Sequence, residues 1–200
     1  MGEYGMAFFA IPIPADLQSQ LAADLAPLRK EWPSVQWVHP EDFHLTLRFM
    51  GGLQREAMAR LLAEVQNWTL PFTPFPLDLQ GVRTFPPHRD RGVLWIDLGT
   101  IWPELIELQQ RIEEKVQSLG FEPERRAYTP HLTIARFRGG DAEPFMEALA
   151  PFTARSWGRF TCDEYVLMKR RHGARDHGRG PLYEVLTRFP VQSFAEPSSV

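Results

Sequence analysis

A chain of 200 residues with 22 basic and 25 acidic side chains carries a formal net charge of -3, which argues against a general nucleic-acid coat, since such proteins are basic overall. At 44% hydrophobic and 24% charged it has the make-up of an ordinary globular protein, with chain enough for one sizeable core. Its one cysteine, Cys162, leaves no intramolecular disulfide and no Cys-based zinc cluster.

Met6-Ala7-Phe8-Phe9-Ala10-Ile11 reads as a buried strand ended by Pro12 and Pro14. The apolar run is too short to span a bilayer, and Glu3 stands where a secretory signal would carry basic residues, so a cytoplasmic protein without a membrane partner is expected. Asp16 reads as the N-cap of a helix with Leu17, Leu21, Leu25 and Leu28 on one face, stopped by Trp32-Pro33. A short strand over Val35 to Val38 and a turn at His39-Pro40-Glu41-Asp42 lead into a strand from Phe43 to Met50, broken by Gly51-Gly52. Gln54 to Trp68 is a helix through Met58, Leu61, Leu62 and Val65; Phe75 to Phe85 is a strand; Pro86 to Gly92 is an exposed loop.

The order then recurs. Val93 to Leu98 reads as a strand, and Trp102 to Leu119 as a helix with Leu105, Leu108, Ile112 and Val116 on one face, closed by Gly120. His131 to Phe137 is a strand broken at Gly139-Gly140, Ala142 to Leu149 a helix, Arg159 to Lys169 a strand and Leu182 to Phe189 the last strand, before a polar tail from Ala195. His131 minus His44, Gly139 minus Gly52, Pro103 minus Asp16 and Val93 minus Met6 all equal 87. One offset shared by strand, helix, motif and glycine break points to a single domain, 1–200, built of two pseudo-repeated lobes at about 6–85 and 93–190.

The motif itself is Phe43-His44-Leu45-Thr46-Leu47 and its near copy Pro130-His131-Leu132-Thr133-Ile134. In a strand alternate side chains share a face, so each copy presents an imidazole and a hydroxyl on one side and two apolar residues on the other. Two imidazoles near neutrality can hold one base and one acid, and threonine hydroxyls can donate to the non-bridging oxygens of a phosphoryl group. That is metal-free acid-base chemistry at phosphorus. The other histidines have no such setting: His39 and His88 lie in proline-bearing turns, and His172 and His177 lie in a basic, glycine-bearing loop at 169–179 that could meet an RNA backbone. Cys162, in a strand-like run, reads as a structural thiol.

The run Phe-His-Leu-Thr-Leu-Arg-Phe-Met-Gly in the first half, with Arg-Arg-Ala-Tyr-Thr-Pro-His-Leu-Thr-Ile-Ala-Arg in the second, resembles the paired motifs of the 2H phosphoesterase superfamily. Within it the chain resembles the bacterial and archaeal RNA 2',3'-cyclic phosphodiesterases, first named 2'-5' RNA ligases. The resemblance implies a bilobal α+β fold with two antiparallel sheets flanking a central cleft and helices outside. It implies hydrolysis of RNA 2',3'-cyclic phosphate ends, or 2',3'-cyclic nucleotides, to a 2'-phosphate, with no metal and no cofactor; a monomer is expected. On the matching positions His44 is the proton donor to O3', His131 the acceptor from water, and Thr46 and Thr133 bind phosphate oxygens, although the internal symmetry leaves the two histidine roles interchangeable. Arg136, three residues past Thr133, is a further binding candidate that needs a bulge to reach the motif's face. Arg126 and Tyr128 match the lead-in, Tyr128 as a base-stacking or a core residue. The rivals are ATP-independent 2'-5' ligation at the same site, a non-catalytic RNA-end or nucleotide-binding module, and a related cyclic phosphodiesterase.

Overall fold

Helix faces decide how this chain packs. In the computed structural model, which describes residues 3–68, 70–88, 91–138, 142–173 and 180–190, Leu17, Leu21, Leu25 and Leu28 are all buried, as are Leu105, Leu108, Ile112 and Val116. Each set is a stripe at helical spacing, so each helix must lay that stripe on an apolar sheet face. In chain order the elements are β1 (Glu3–Pro12), α1 (Ala15–Glu31), β2 (Gln36–Trp37), β3 (His44–Gln54), α2 (Arg55–Val65), β4 (Phe75–His88), β5 (Arg91–Leu98), α3 (Pro103–Ser118), β6 (Leu132–Arg138), α4 (Ala142–Ala148), β7 (Ser156–Cys162), β8 (Glu164–Arg170) and β9 (Tyr183–Pro190). A 3-10 turn at Pro40–Asp42 precedes β3.

Among the described residues the strands form one antiparallel nine-stranded sheet in the order β7-β4-β5-β6-β3-β1-β8-β9, with β2 set on β6. The two sheets expected from the sequence are thus joined, and the junction is a single bridge, Leu45 to Leu132. β7 and β8 lie near opposite ends of the order yet are separated in the chain by Asp163 alone. Consecutive Cα atoms are about 3.8 Å apart, so the sheet curls until its ends approach. One face, carrying Phe9, Ile11, Leu45, Leu47, Leu94, Ile96, Leu132 and Ile134, joins the helix stripes in the main core. The other face carries a smaller cluster of Phe8, Ala10, Val166 and Met168.

Several boundaries differ from the sequence reading. α1 starts at Ala15 with Pro14 as its cap residue and no side-chain cap, so Asp16 lies inside the first turn, where its charge suits the helix dipole. Gly51 does not end β3: with φ 74° it absorbs a bulge, and the strand runs on to Gln54 and buries Leu53. α2 spans only Arg55–Val65. The loop expected at Pro86 to Gly92 is strand up to His88 and again from Arg91. The strand expected over Arg159 to Lys169 is two, β7 on β4 and β8 on β1, because the chain leaves one end of the curled sheet and enters the other at Asp163. Gly120, with φ 82°, follows α3 as expected. Gly139-Gly140, most of the basic loop and the tail from Ala195 lie outside the described residues.

The offset of 87 holds for the motif strands but not for the strands beside them. Leu45 faces Ile11 and Leu132 faces Ile96, which relates β1 to β5 by 85. β4 pairs with β5, and β8, from the second half of the sequence, pairs with β1.

A buried ion pair ties the two motif strands to their surroundings. Arg48, 7% exposed, pairs through Nε with Glu113 of α3, and donates to the carbonyls of Phe49 and Glu122. Glu113 Oε1 in turn accepts from the backbone N–H of Glu124 at 2.9 Å, in the segment that leads to His131. Breaking one side of a buried pair leaves the other charge uncompensated. Arg48→Ala is expected to lower stability by about 3–5 kcal/mol, read as a Tm lower by about 6–20 °C; a loss within 1 °C would show the pair to be idle.

Candidate active site

The bridge between Leu45 and Leu132 sets the geometry. Both leucines are fully buried in the main core, so the residues flanking each of them, His44 and Thr46 on β3 and His131 and Thr133 at β6, face the other side. Antiparallel register at that bridge sets His44 opposite Thr133 and Thr46 opposite His131. All four are half-buried.

Each ring is held from two sides. His44 Nδ1 lies 2.6 Å from the Asp42 carbonyl oxygen and His131 Nδ1 lies 2.7 Å from that of Thr129. A carbonyl oxygen can only accept, so Nδ1 carries the hydrogen in both rings and Nε2 is the basic nitrogen. His44 stacks on Phe8, with centroids 4.7 Å apart, and meets Tyr183 edge-on at 5.7 Å. His131 meets Trp95 edge-on at 5.4 Å.

Arg136 reaches the same face by the route that strand alternation demands. β5 pairs Trp95 with Thr133 and Leu94 with Ala135, so Ile134 is an extra residue, and past this bulge Ala135 and Phe137 turn to the core while Arg136 turns out. β3 has the matching bulge at Leu47, between the pairs of Ala10 with Thr46 and Phe9 with Arg48. There the outward position is Phe49, 42% exposed.

Burial lowers the pKa of both histidines. His44 is pushed down to about 4, chiefly by desolvation, with the positive charges of His131 and Arg136 adding to it and the hydrogen bond to the Asp42 carbonyl opposing. His131 is lowered by burial and by Arg136, against the hydrogen bond to Thr129 and the nearby Asp97 carboxylate. Arg136 thus adds positive charge to the surroundings of both rings.

Of the other residues read from the sequence, Arg126 is exposed and pairs with Glu124. Tyr128 packs against the main core with its hydroxyl buried, and burial raises its pKa. The structure gathers neither into the group around the rings. Cys162 is buried, its thiol pKa pushed up by desolvation.

Sequence reasoning missed the supports. Asp42 is 1% exposed, and its carboxylate accepts from the backbone N–H groups of Leu182 at 2.8 Å and Tyr183 at 3.1 Å. It thereby fixes the start of β9, and with it the tyrosine ring on His44. Burial raises the Asp42 pKa, while those two hydrogen bonds oppose the rise. Phe8 and Trp95 read from the sequence only as strand apolars, since the partner of a ring is set by which strands adjoin.

The sequence profile of the 2'-5' RNA ligase superfamily matches residues 17–174. The chain belongs to that superfamily. Among superfamily relatives, a protein of Geobacillus stearothermophilus named RNA 2',3'-cyclic phosphodiesterase is 31% identical over 92% of this chain and 56% of its own length. The chain thus spans little more than half of that relative. One of the same name from Methanocaldococcus jannaschii is 29% identical over 91% of this chain and 98% of its own. In fold, the chain is similar to Escherichia coli LigT complexed with 3'-AMP, at TM-score 0.70 and 23% identity over 94% of this chain and 98% of that one. It is likewise similar to TT0787 of Thermus thermophilus, at TM-score 0.71 and 21% identity over 93% and 97%. The α+β fold of this superfamily is therefore present, and no helix among the described residues is long and apolar enough to cross a membrane.

The ring geometry gives a direct test. At pH 7 both imidazoles are expected to be neutral with the proton on Nδ1, and His44 to titrate near 4, as read by nitrogen-15 shifts of labelled histidine. Because the unfolded chain takes up these protons at higher pH than the folded one, stability falls as pH drops from 6.5 toward 4. A His44 midpoint at or above 6.5 would contradict the desolvated setting.

Proposed function

We propose that the protein hydrolyses the 2',3'-cyclic phosphate at an RNA end, leaving a 2'-phosphate and a free 3'-hydroxyl. The observation that carries this reading is the pair of imidazoles on adjoining strands, each with Nδ1 committed to a carbonyl and Nε2 as its basic nitrogen, beside one arginine. The names of the relatives support it.

In the proposed reaction His131 Nε2 takes a proton from water as the water oxygen bonds to phosphorus. The P–O3' bond breaks, and His44 Nε2–H gives its proton to O3'. Thr46 and Thr133 donate to the non-bridging oxygens, and Arg136 offsets their charge. His44 must be protonated to act, and the arriving phosphate anion favours this by attracting the imidazolium, against the desolvation that chiefly holds its pKa down and the positive charges that add to it. Ligation would replace water by a 5'-hydroxyl in the same displacement; water at bulk concentration favours hydrolysis. Both histidines come from one chain, which supports a monomer as the working unit. The cytoplasm is the proposed compartment.

Phosphorus NMR of a 2',3'-cyclic nucleotide is expected to show conversion to the 2'-phosphate at a rate indifferent to EDTA; a 3'-phosphate product would reverse the leaving-group assignment. His44→Ala and His131→Ala should each lower the rate at least about 10²-fold. A nucleoside 2'-(p-nitrophenyl phosphate), whose leaving group needs no proton, separates the two roles: His44→Ala regains most of its rate on it and His131→Ala does not. The opposite pattern would exchange acid and base. Since the acid form of His44 is lost as pH rises and the basic form of His131 is lost as pH falls, kcat/KM should peak on the acid side of 6.5.

A further inference from the structure

The two imidazoles have unlike neighbours across the strands. β1 sets Pro12 opposite His44. β5 pairs Trp95 with Thr133 and Ile96 with Leu132, and the same register carried one residue further sets Asp97 opposite His131. Leu94, Ile96 and Leu98 are buried in the main core, so Trp95 and Asp97 face the other way. The edge-on contact of Trp95 with His131 marks that as the side of the ring. Side chains directly opposite one another in an antiparallel pair have Cβ atoms about 4.5–5.5 Å apart. His131 is thus flanked by Thr46 of β3 and Asp97 of β5, and His44 by Thr133 of β6 and Pro12 of β1.

The Asp97 carboxylate is held in place. Oδ2 accepts from Arg83 Nε of β4, and Oδ1 accepts from the Leu98 backbone N–H at 2.9 Å. The Arg83 side chain is 67% exposed and that of Asp97 23%, so water screens the guanidinium more than the carboxylate, and the pair keeps a negative side toward the ring. Among the described residues the charged groups around His131 are Arg136 of its own strand, His44 of β3 and Asp97 of β5, with Arg83 behind Asp97. Arg136 disfavours a protonated His131, and Asp97 favours it. The charges that act on His44, those of His131 and Arg136, both disfavour its protonation.

An imidazole that takes a proton from water ends the step as an imidazolium. On His131 that new charge forms in the field of Arg136, and the Asp97 carboxylate offsets the cost. On His44 the uncharged Pro12 offers nothing comparable. We propose that Asp97 is a positioning residue that makes His131, and not His44, the proton acceptor of the pair. It breaks the interchangeability that two copies of one motif leave open. This rests on the hydrolase reading above and deepens it.

Two variants test it. Asp97→Asn keeps the shape and removes the charge; Asp97→Glu keeps the charge on a longer side chain. In Asp97→Asn, kcat/KM on a nucleoside 2',3'-cyclic phosphate should fall about tenfold at its maximum. The acid limb of its pH profile, set by His131, should move to lower pH, since the carboxylate favours the protonated ring. The nitrogen-15 midpoint of His131 should move the same way, and that of His44 less. Asp97→Glu should leave limb and midpoint near those of the unaltered protein. On a nucleoside 2'-(p-nitrophenyl phosphate) the loss in Asp97→Asn should persist, because it acts through the base. An unmoved limb and His131 midpoint in Asp97→Asn overturns the proposal, as does a rate regained on the activated ester or an equal shift in both variants. If no cyclic end is turned over, the hydrolase reading fails and the midpoints alone decide. A lower His131 midpoint in Asp97→Asn, restored in Asp97→Glu, then supports Asp97 as the group that makes His131 the acceptor, and an unmoved one overturns it.

Discussion

The bridge between Leu45 and Leu132 is the constraint on which the rest of the molecule depends. Burying both leucines under the helices removes any freedom in which way the flanking residues face, and a slip by one residue would exchange core and cleft sets entirely. The fold therefore need not place four catalytic candidates one by one. It places two leucines, and the imidazoles and hydroxyls follow.

Around that bridge, polar groups that would be costly to bury alone are consumed in holding the site together. The Asp42 carboxylate caps two amides at the start of β9, while the same residue's carbonyl takes the His44 ring hydrogen. Arg48 and Glu113 join β3 to α3 and to the segment before His131. Both ties start from the first motif strand and its lead-in, one reaching β9 and the other α3 and the segment before His131. The pairing of a buried charge with several donors or acceptors is what makes such burial tolerable.

The two halves of the site are alike in hydrogen bonding and unlike in surroundings. Both rings give Nδ1–H to the carbonyl two residues upstream. His44 is covered by Phe8 and Tyr183 and depressed further by two positive neighbours, whereas His131 has Asp97 nearby to offset part of its shift. At the bulge positions one strand offers Arg136 and the other Phe49. A doubled scaffold has in this way acquired unlike surroundings for its two rings and a cationic residue on one side only.

The sequence by itself determined the helix stripes, the strands and the residues that could do chemistry, because periodicity and the faces of a strand are local properties. His44, Thr46, His131 and Thr133 were legible for that reason, and Arg136 was legible only on condition of a bulge. The condition was met at Ile134, by the register against β5, which no local pattern encodes. Strand partners were beyond the sequence too: the repeat in chain order suggests lobes cut at the middle, while the sheet sets β4 on β5 and β8 on β1. Tyr128, read from its place before the motif, went to the core, and Asp42 and Tyr183, 141 residues apart, were brought together. Side-chain type and spacing are written in the chain, but register, pairing and burial are decided by which long-range contacts close, and only the tertiary structure decides those.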